Sequence, residues 1–104
     1  MIEDTDYDRC ADVAGAGLCL ALGASGIRCR HYGGGVIEVD CDRDVDLRVV
    51  VGDLGDGLVV DVVTLRYGPN GLDEIREHTY ASDVDWLNLP RILSAIRTAL
   101  TEKP

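Results

Sequence analysis

Cys29 and His31 are the residues in this sequence that come closest to forming a catalytic pair. They are two residues apart in a segment of alternating polarity, so both side chains would lie on one face of a strand. A thiol activated by an imidazole can act as a nucleophile. However, Cys29 lies at an apolar position of the pattern, which favours a buried and unreactive thiol. We therefore expect no catalytic residues and no enzyme activity, and a small enzyme using Cys29 and His31 is the least favoured alternative.

Closely spaced carboxylates are the second chemical feature. Aspartates alternate with other residues between positions 40 and 46, as at the start of a calcium-binding loop. Such a loop also needs a glycine at its sixth position and a later glutamate, and the sequence has neither. The histidines, His31 and His78, are far apart, and no C-x-x-C pair occurs. We expect no metal and no other cofactor. All four cysteines occupy apolar positions, which predicts buried, reduced thiols at Cys10, Cys19, Cys29 and Cys41.

The charge balance limits the partners that this chain could bind. It has 19 acidic and 10 basic residues in 104, for a formal net charge of −9. Nucleic acids and anionic membranes are bound through lysine and arginine, so direct binding to either is not expected. A protein partner with a basic surface is compatible with this charge. The N-terminal segment, residues 1–6, is acidic and resembles neither a signal nor a transit peptide. We expect a cytoplasmic protein of a bacterial or phage-infected host cell.

The periodicity of apolar residues predicts one α+β domain over residues 1–104. We expect a helix over 7–23, capped by Asp6 or Asp8 and ended by Gly23, and an antiparallel sheet over 27–67. A helical region follows over 84–101, capped by Ser82 or Asp83, with Asn88 as a second cap. Residues 72–81 are ambiguous: a fifth strand over 75–80 is favoured over a short helix. The predicted fold is two-layered, with a meander of four or five strands flanked by both helices.

The strict alternation between residues 37 and 51 predicts how the strands pair. With the triple glycine 33–35 as a turn, Arg30 faces Glu38, and Glu38 faces Arg48 across the next strand. Extending the meander through a turn at residues 52–57 places Asp61 opposite Arg48. The charges on this face would therefore largely compensate one another, and the alternation would serve mainly to set the register.

Two surfaces remain as candidates for binding. The first is the set of acidic residues in turns or near the ambiguous segment, which no helix end accounts for: Asp42, Asp44, Asp53, Asp56, Asp73, Glu74 and Glu77. The second is a row of outward-facing apolar residues across four strands, which must be covered by a helix, a partner or a second subunit: Tyr32, Val36, Val50 and Val59.

These features favour a small acidic inhibitor that blocks a basic, nucleic-acid-binding surface of a partner protein. A phage anti-CRISPR or anti-restriction protein is its most concrete form. The alternative is an acidic immunity protein or secretion chaperone that acts as a homodimer, with the apolar row as its dimer or client surface.

Overall fold

The computed structural model describes residues 4–41, 45–53, 57–68 and 71–101, and it shows the predicted two-layer α+β fold. The five strands form an antiparallel meander in the order β1-β2-β3-β4-β5. One helix precedes the sheet and one follows it. The elements are α1 (Asp4–Ala24), β1 (Cys29–His31), β2 (Val36–Val39), β3 (Asp46–Asp53), β4 (Leu58–Gly68), β5 (Gly71–Asp85) and α2 (Leu89–Thr101).

Both helices pack on the same face of the sheet, with α1 over β1, β2 and β3 and α2 over β4 and β5. The core between the layers is aliphatic, because the sequence contains no phenylalanine. Fully buried residues come from both layers, and each such side chain contributes roughly 1.5–3 kcal/mol relative to exposure. They include Leu22, Ile37, Leu47, Val49, Val60, Val62, Ile92 and Ile96. On β2, β3 and β4 these buried residues lie on the face opposite to the predicted outward-facing residues Val36, Val50 and Val59.

Helix α1 is longer than predicted at both ends. It begins at Asp4, so Asp6 and Asp8 lie inside the helix rather than at its cap. It ends at Ala24, and the left-handed residue after it is Gly26 (φ 88°) rather than Gly23. The N–H of Ile27 closes this end by donating to the Leu22 carbonyl at 2.9 Å. The chain therefore turns into β1 two to three residues later than predicted.

The triple glycine forms the predicted turn between β1 and β2. Gly33 and Gly34 have φ values of 95° and 56°, which L-residues with a side chain rarely adopt. Gly35 has a different role: its carbonyl accepts the Val51 N–H at 2.7 Å, and an added Cβ would overlap the Val51 carbonyl oxygen. The resulting register, with Arg30 opposite Glu38 and Glu38 opposite Arg48, is the predicted one.

The predicted register between β3 and β4 is wrong by two residues. Arg48 lies opposite Val63 rather than Asp61, and Val50 lies opposite Asp61 rather than Val59. The cause is the length of β3, which continues through Gly52 to Asp53, so that residues 54–57 alone connect the strands. A shift of two preserves the side-chain alternation, so the core face of β4 was still predicted correctly.

The ambiguous segment is a strand, and β5 extends well beyond the predicted residues 75–80. Its pairing with β4 shifts register between Val60 and Val62 and again between Val62 and Val63. In this irregular part of β5 the backbone of Asp83 is in the left-handed region (φ 54°). The carboxylate of Asp61 accepts the Asp83 N–H at 2.8 Å and holds this bulge in place. Ser82 and Asp83 therefore lie in a strand and cap no helix.

Helix α2 begins at Leu89, so residues 84–88 of the predicted helical region belong to β5 and the connection. Its cap is Asn88, the second residue predicted for that role. The Asn88 side-chain oxygen accepts the Arg91 N–H at 3.4 Å, and its carbonyl accepts the Ile92 N–H at 3.2 Å. Pro90 lies in the first turn, where its missing N–H costs no helical hydrogen bond.

Candidate functional site

The thiol and imidazole of the potential catalytic pair each have structural partners. His31 Nε2 donates to the Gly34 carbonyl at 2.9 Å and lies 3.4 Å from a carboxylate oxygen of Asp12. Cys29 Sγ lies 3.4 Å from the sulfur of Cys19. Burial, the Cys19 hydrogen bond and negative charge at Cys19 and Asp40 raise the Cys29 pKa to about 12. Such a thiol is protonated at neutral pH, which is unfavourable for a nucleophile.

The cysteines are less buried than predicted. Cys10 is exposed, and the other three are half-buried; all four are free thiols. Cys10 is exposed because it lies near the start of α1 on a stripe that the sheet does not cover fully. Within the described parts of the chain, no three His, Cys, Asp or Glu side chains are grouped closely enough to hold a metal ion.

The outer face of the sheet, opposite the helices, carries the predicted apolar row in a changed form. Tyr32 is 62% exposed and donates its N–H to the Val36 carbonyl, and Val36 lies opposite Val50. The fourth position in this row is Asp61 rather than Val59, because of the shifted register. We call Tyr32, Val36 and Val50 the outer row. Neither described helix covers it, since both pack on the inner face.

Val59 lies in a different row, opposite Gly52 on one side and Asp85 on the other. It is half-buried. Val63, opposite Arg48, is only 9% exposed although it also lies on the outer face. The outer face therefore has an apolar strip of valines that runs diagonally across β2, β3 and β4, rather than the straight row predicted from the sequence.

The charges on the outer face are aligned as predicted in the first three strands, but they do not form the predicted ion pairs. Arg48 contacts Asp46, two residues away on its own strand, with Nη2 and Oδ2 3.8 Å apart. Among the described residues, no cationic side chain lies within 4 Å of the Glu38 carboxylate. The charged residues are thus aligned in the predicted register without forming the cross-strand ion pairs that would compensate them.

The predicted acidic binding residues fall at two ends of the sheet. Asp53 ends β3 opposite Leu58, at the start of β4. Glu77 is exposed and lies opposite Leu65, seven residues further along β4, which corresponds to roughly 23 Å. Asp73 and Glu74 lie near the start of β5, between Glu77 and the end of the sheet where Gly71 pairs with Gly68. Asp42, Asp44 and Asp56 lie outside the described residues.

An apolar groove of about 510 Å³ was not predicted. It runs between α1 on one side and, on the other, Leu58 at the start of β4 and Trp86 directly after β5. Its α1 wall is formed by residues spaced as one helical stripe: Cys10, Val13, Ala14 and Gly17. Although this spacing is typical of a stripe that faces a core, Val13 is 71% exposed. The signal that could have identified the groove is that α1 is apolar on more than one side.

Neither α1 nor α2, in the portion of the chain that the structure covers, is long and apolar enough to span a membrane. No protein-family model, no curated protein and no solved structure matches this chain.

Proposed function

We propose that this protein is a small acidic inhibitor that binds a basic, nucleic-acid-binding surface of a partner protein. An anti-CRISPR or anti-restriction protein of a phage is the most concrete form of this proposal. The observation that carries it is the surplus of carboxylates left free at the surface. Asp40 and Glu77 are exposed and Glu38 is half-exposed, and none of them contacts a described cationic side chain.

The position of these acids supports a surface that competes with nucleic acid. Acidic residues lie beside both ends of β4, roughly 23 Å apart. The surface therefore has two separate negatively charged regions. Exposed charges attract a partner over a distance set by the ionic strength and increase the association rate. The interaction should therefore weaken as salt increases, as protein–nucleic acid binding does.

Charge reversal on β5 tests this proposal. The triple variant Asp73→Lys, Glu74→Lys, Glu77→Lys should weaken binding to the captured partner at least roughly tenfold, because it replaces attraction by repulsion. The partner is first isolated on the immobilised wild-type protein, and Kd is then measured by biolayer interferometry. The wild-type protein should also displace double-stranded DNA from that partner.

A matched control separates local charge from net charge. The variant Glu3→Lys, Asp4→Lys, Glu102→Lys changes the net charge by the same amount at the two ends of the chain. It should retain most of the affinity, and both variants should remain folded, as shown by cooperative thermal unfolding. Undiminished binding by the β5 variant, or a partner that binds no nucleic acid, would contradict the proposal.

The second candidate function is a dimeric immunity protein or secretion chaperone, and the uncovered outer row favours it. Tyr32 is exposed and Val36 and Val50 are half-buried, and together they form an apolar strip on the β1–β3 side of a face that carries no described helix. A second copy or a client protein could bury this strip, with a gain of roughly 25 cal/mol per Å² of apolar surface.

Substitution of Val50 tests the second candidate. We expect the wild-type protein to elute as a dimer in size-exclusion chromatography with light scattering, and Val50→Glu to elute as a monomer. The matched control is Leu20→Glu, since Leu20 is 78% exposed on α1 and lies away from the outer face. Leu20→Glu should remain dimeric. A monomeric wild-type protein at roughly 100 µM, where even weak dimers form, would exclude the dimer.

A further inference from the structure

Two of the four thiols lie against each other at the junction of α1 and the edge strand β1. The sulfur atoms of Cys19 and Cys29 are 3.4 Å apart, and Cys29 Sγ also lies 3.5 Å from the Cys19 carbonyl oxygen. The two residues are ten positions apart and come from different elements. Both are free and half-buried, so small oxidants and reductants can reach them.

We propose that Cys19 and Cys29 form a reversible intramolecular disulfide, with a low-molecular-weight disulfide such as glutathione disulfide as the oxidant. A disulfide requires a sulfur–sulfur distance of about 2.05 Å. The two sulfurs therefore need to approach by a little over 1 Å, which side-chain rotation can supply. A metal ion is not required, and the two thiols are the only protein groups that change.

The exchange proceeds in two steps. The Cys19 thiolate attacks glutathione disulfide, forms a mixed disulfide and releases one glutathione thiolate. Cys29 then loses its proton and attacks the Cys19 sulfur, which breaks the mixed disulfide and releases the second glutathione. Overall, the protein loses two electrons and two protons, and glutathione disulfide gains them to become two thiols.

The environment of Cys29 determines the order of these steps. Its pKa of about 12 makes its thiolate scarce near neutral pH, which disfavours Cys29 as the first nucleophile. Part of that elevation comes from the hydrogen bond to Cys19 and from negative charge there. Burial, the largest cause, and the charge of Asp40 remain once Cys19 carries glutathione.

The bridge would join α1 to β1, the shortest of the five described strands. Strand β1 has three residues, pairs only with β2 within the described structure, and is otherwise held by its contact with α1. A cross-link that closes a loop of about ten residues restricts the unfolded chain, so oxidation should raise the melting temperature by roughly 5–15 °C.

The test uses the purified 104-residue chain, first fully reduced and then equilibrated with defined ratios of reduced to oxidised glutathione. In the variant Cys10→Ser with Cys41→Ser, which lacks the other two thiols, we expect the number of thiols that react with Ellman's reagent under denaturing conditions to fall from two to none. The intact mass should decrease by two hydrogen atoms, and peptide mapping should recover a peptide that contains the Cys19–Cys29 bridge. Excess dithiothreitol should restore the thiols and the original melting temperature.

Two variants provide the controls. Cys10→Ser with Cys41→Ser removes the other thiols and should still form the bridge. Cys29→Ser cannot form it, and should instead accumulate glutathione on Cys19. Two outcomes would overturn the proposal. One is a bridge that joins any other pair of cysteines. The other is that Cys19 and Cys29 of the wild-type protein stay free after Cys10 has been fully glutathionylated. Mapping of the wild-type protein decides this even where a variant fails to fold.

Discussion

Gly15 and Gly17, two residues apart in α1, have opposite surroundings. Gly15 is buried, and an added Cβ would lie 3.0 Å from His31 Nε2 and 3.1 Å from the Gly34 carbonyl oxygen. Gly17 has no neighbouring atom within 4 Å of an added Cβ. A glycine in a helix can allow a neighbouring strand or turn to approach the helix closely. Only Gly15 has that role, because only it faces the end of the β1–β2 turn.

Alanine at each position should therefore have a different effect. We expect Gly17→Ala to raise the free energy of unfolding by about 0.5–1 kcal/mol, since it removes a flexible residue from a helix interior. Gly15→Ala should lower it by about 1 kcal/mol, because the new methyl group displaces the His31 ring from the Gly34 carbonyl. Urea denaturation at constant pH measures both values. Equal stabilisation by the two substitutions would show that the contact at Gly15 is unimportant.

His31 shows why a residue pattern alone cannot establish chemistry. Its spacing from Cys29 places both side chains on one side of a strand, as predicted. Their partners come from elsewhere in the chain: Asp12 and Gly34 for the imidazole, Cys19 for the thiol. Those partners depend on how α1 packs across the sheet, and this packing cannot be predicted from the local residue pattern.

At the scale of elements, the sequence predicted what depends on side-chain alternation. The inward faces of β2, β3 and β4 follow the alternation, and so does the register of the first three strands. The β3–β4 register could not be predicted, because Gly52 and Asp53 have the composition of a turn but pair with Val59 and Leu58. Tertiary pairing with β4 outweighs the weak intrinsic strand preference of these two residues.

The strand β5 was underestimated for a related reason. Its three register shifts interrupt the period of two, so only the part between 75 and 80 resembles a strand in the sequence. The prediction of the candidate sites was limited in the same way. The positions of Val36 and Val50 were predicted correctly, whereas Val59 was misplaced and the groove beside Trp86 was missed. Both errors concern contacts between elements rather than patterns within one.

For the whole molecule, charge is the dominant property. The formal net charge is −9, and the radius of gyration is 13.9 Å. At ionic strengths near 0.01 M the screening length is about 30 Å, so carboxylates across the entire molecule repel one another. At 0.15 M it falls to about 8 Å, and most of that repulsion is lost. The folded chain should therefore be more stable in salt.

We expect the melting temperature to rise by roughly 2–5 °C between 0.01 and 0.15 M sodium chloride at pH 7.5, because screening relieves repulsion in the compact state. Differential scanning calorimetry measures the shift. Choline chloride should have the same effect, since screening does not depend on which cation is present. A response to sodium alone would indicate specific cation binding instead, and a decrease with salt would show that ion pairs stabilise the fold.

The bulge at Asp83 has a consequence for how the molecule behaves at high concentration. Strand β5 is fifteen residues long and forms one edge of the sheet, and a long straight edge can pair with the same edge of another molecule. The left-handed Asp83 and the neighbouring register shifts interrupt the regular spacing of backbone donors and acceptors along this edge. The hydrogen bond from Asp83 to Asp61 thereby opposes edge-to-edge growth into fibrils.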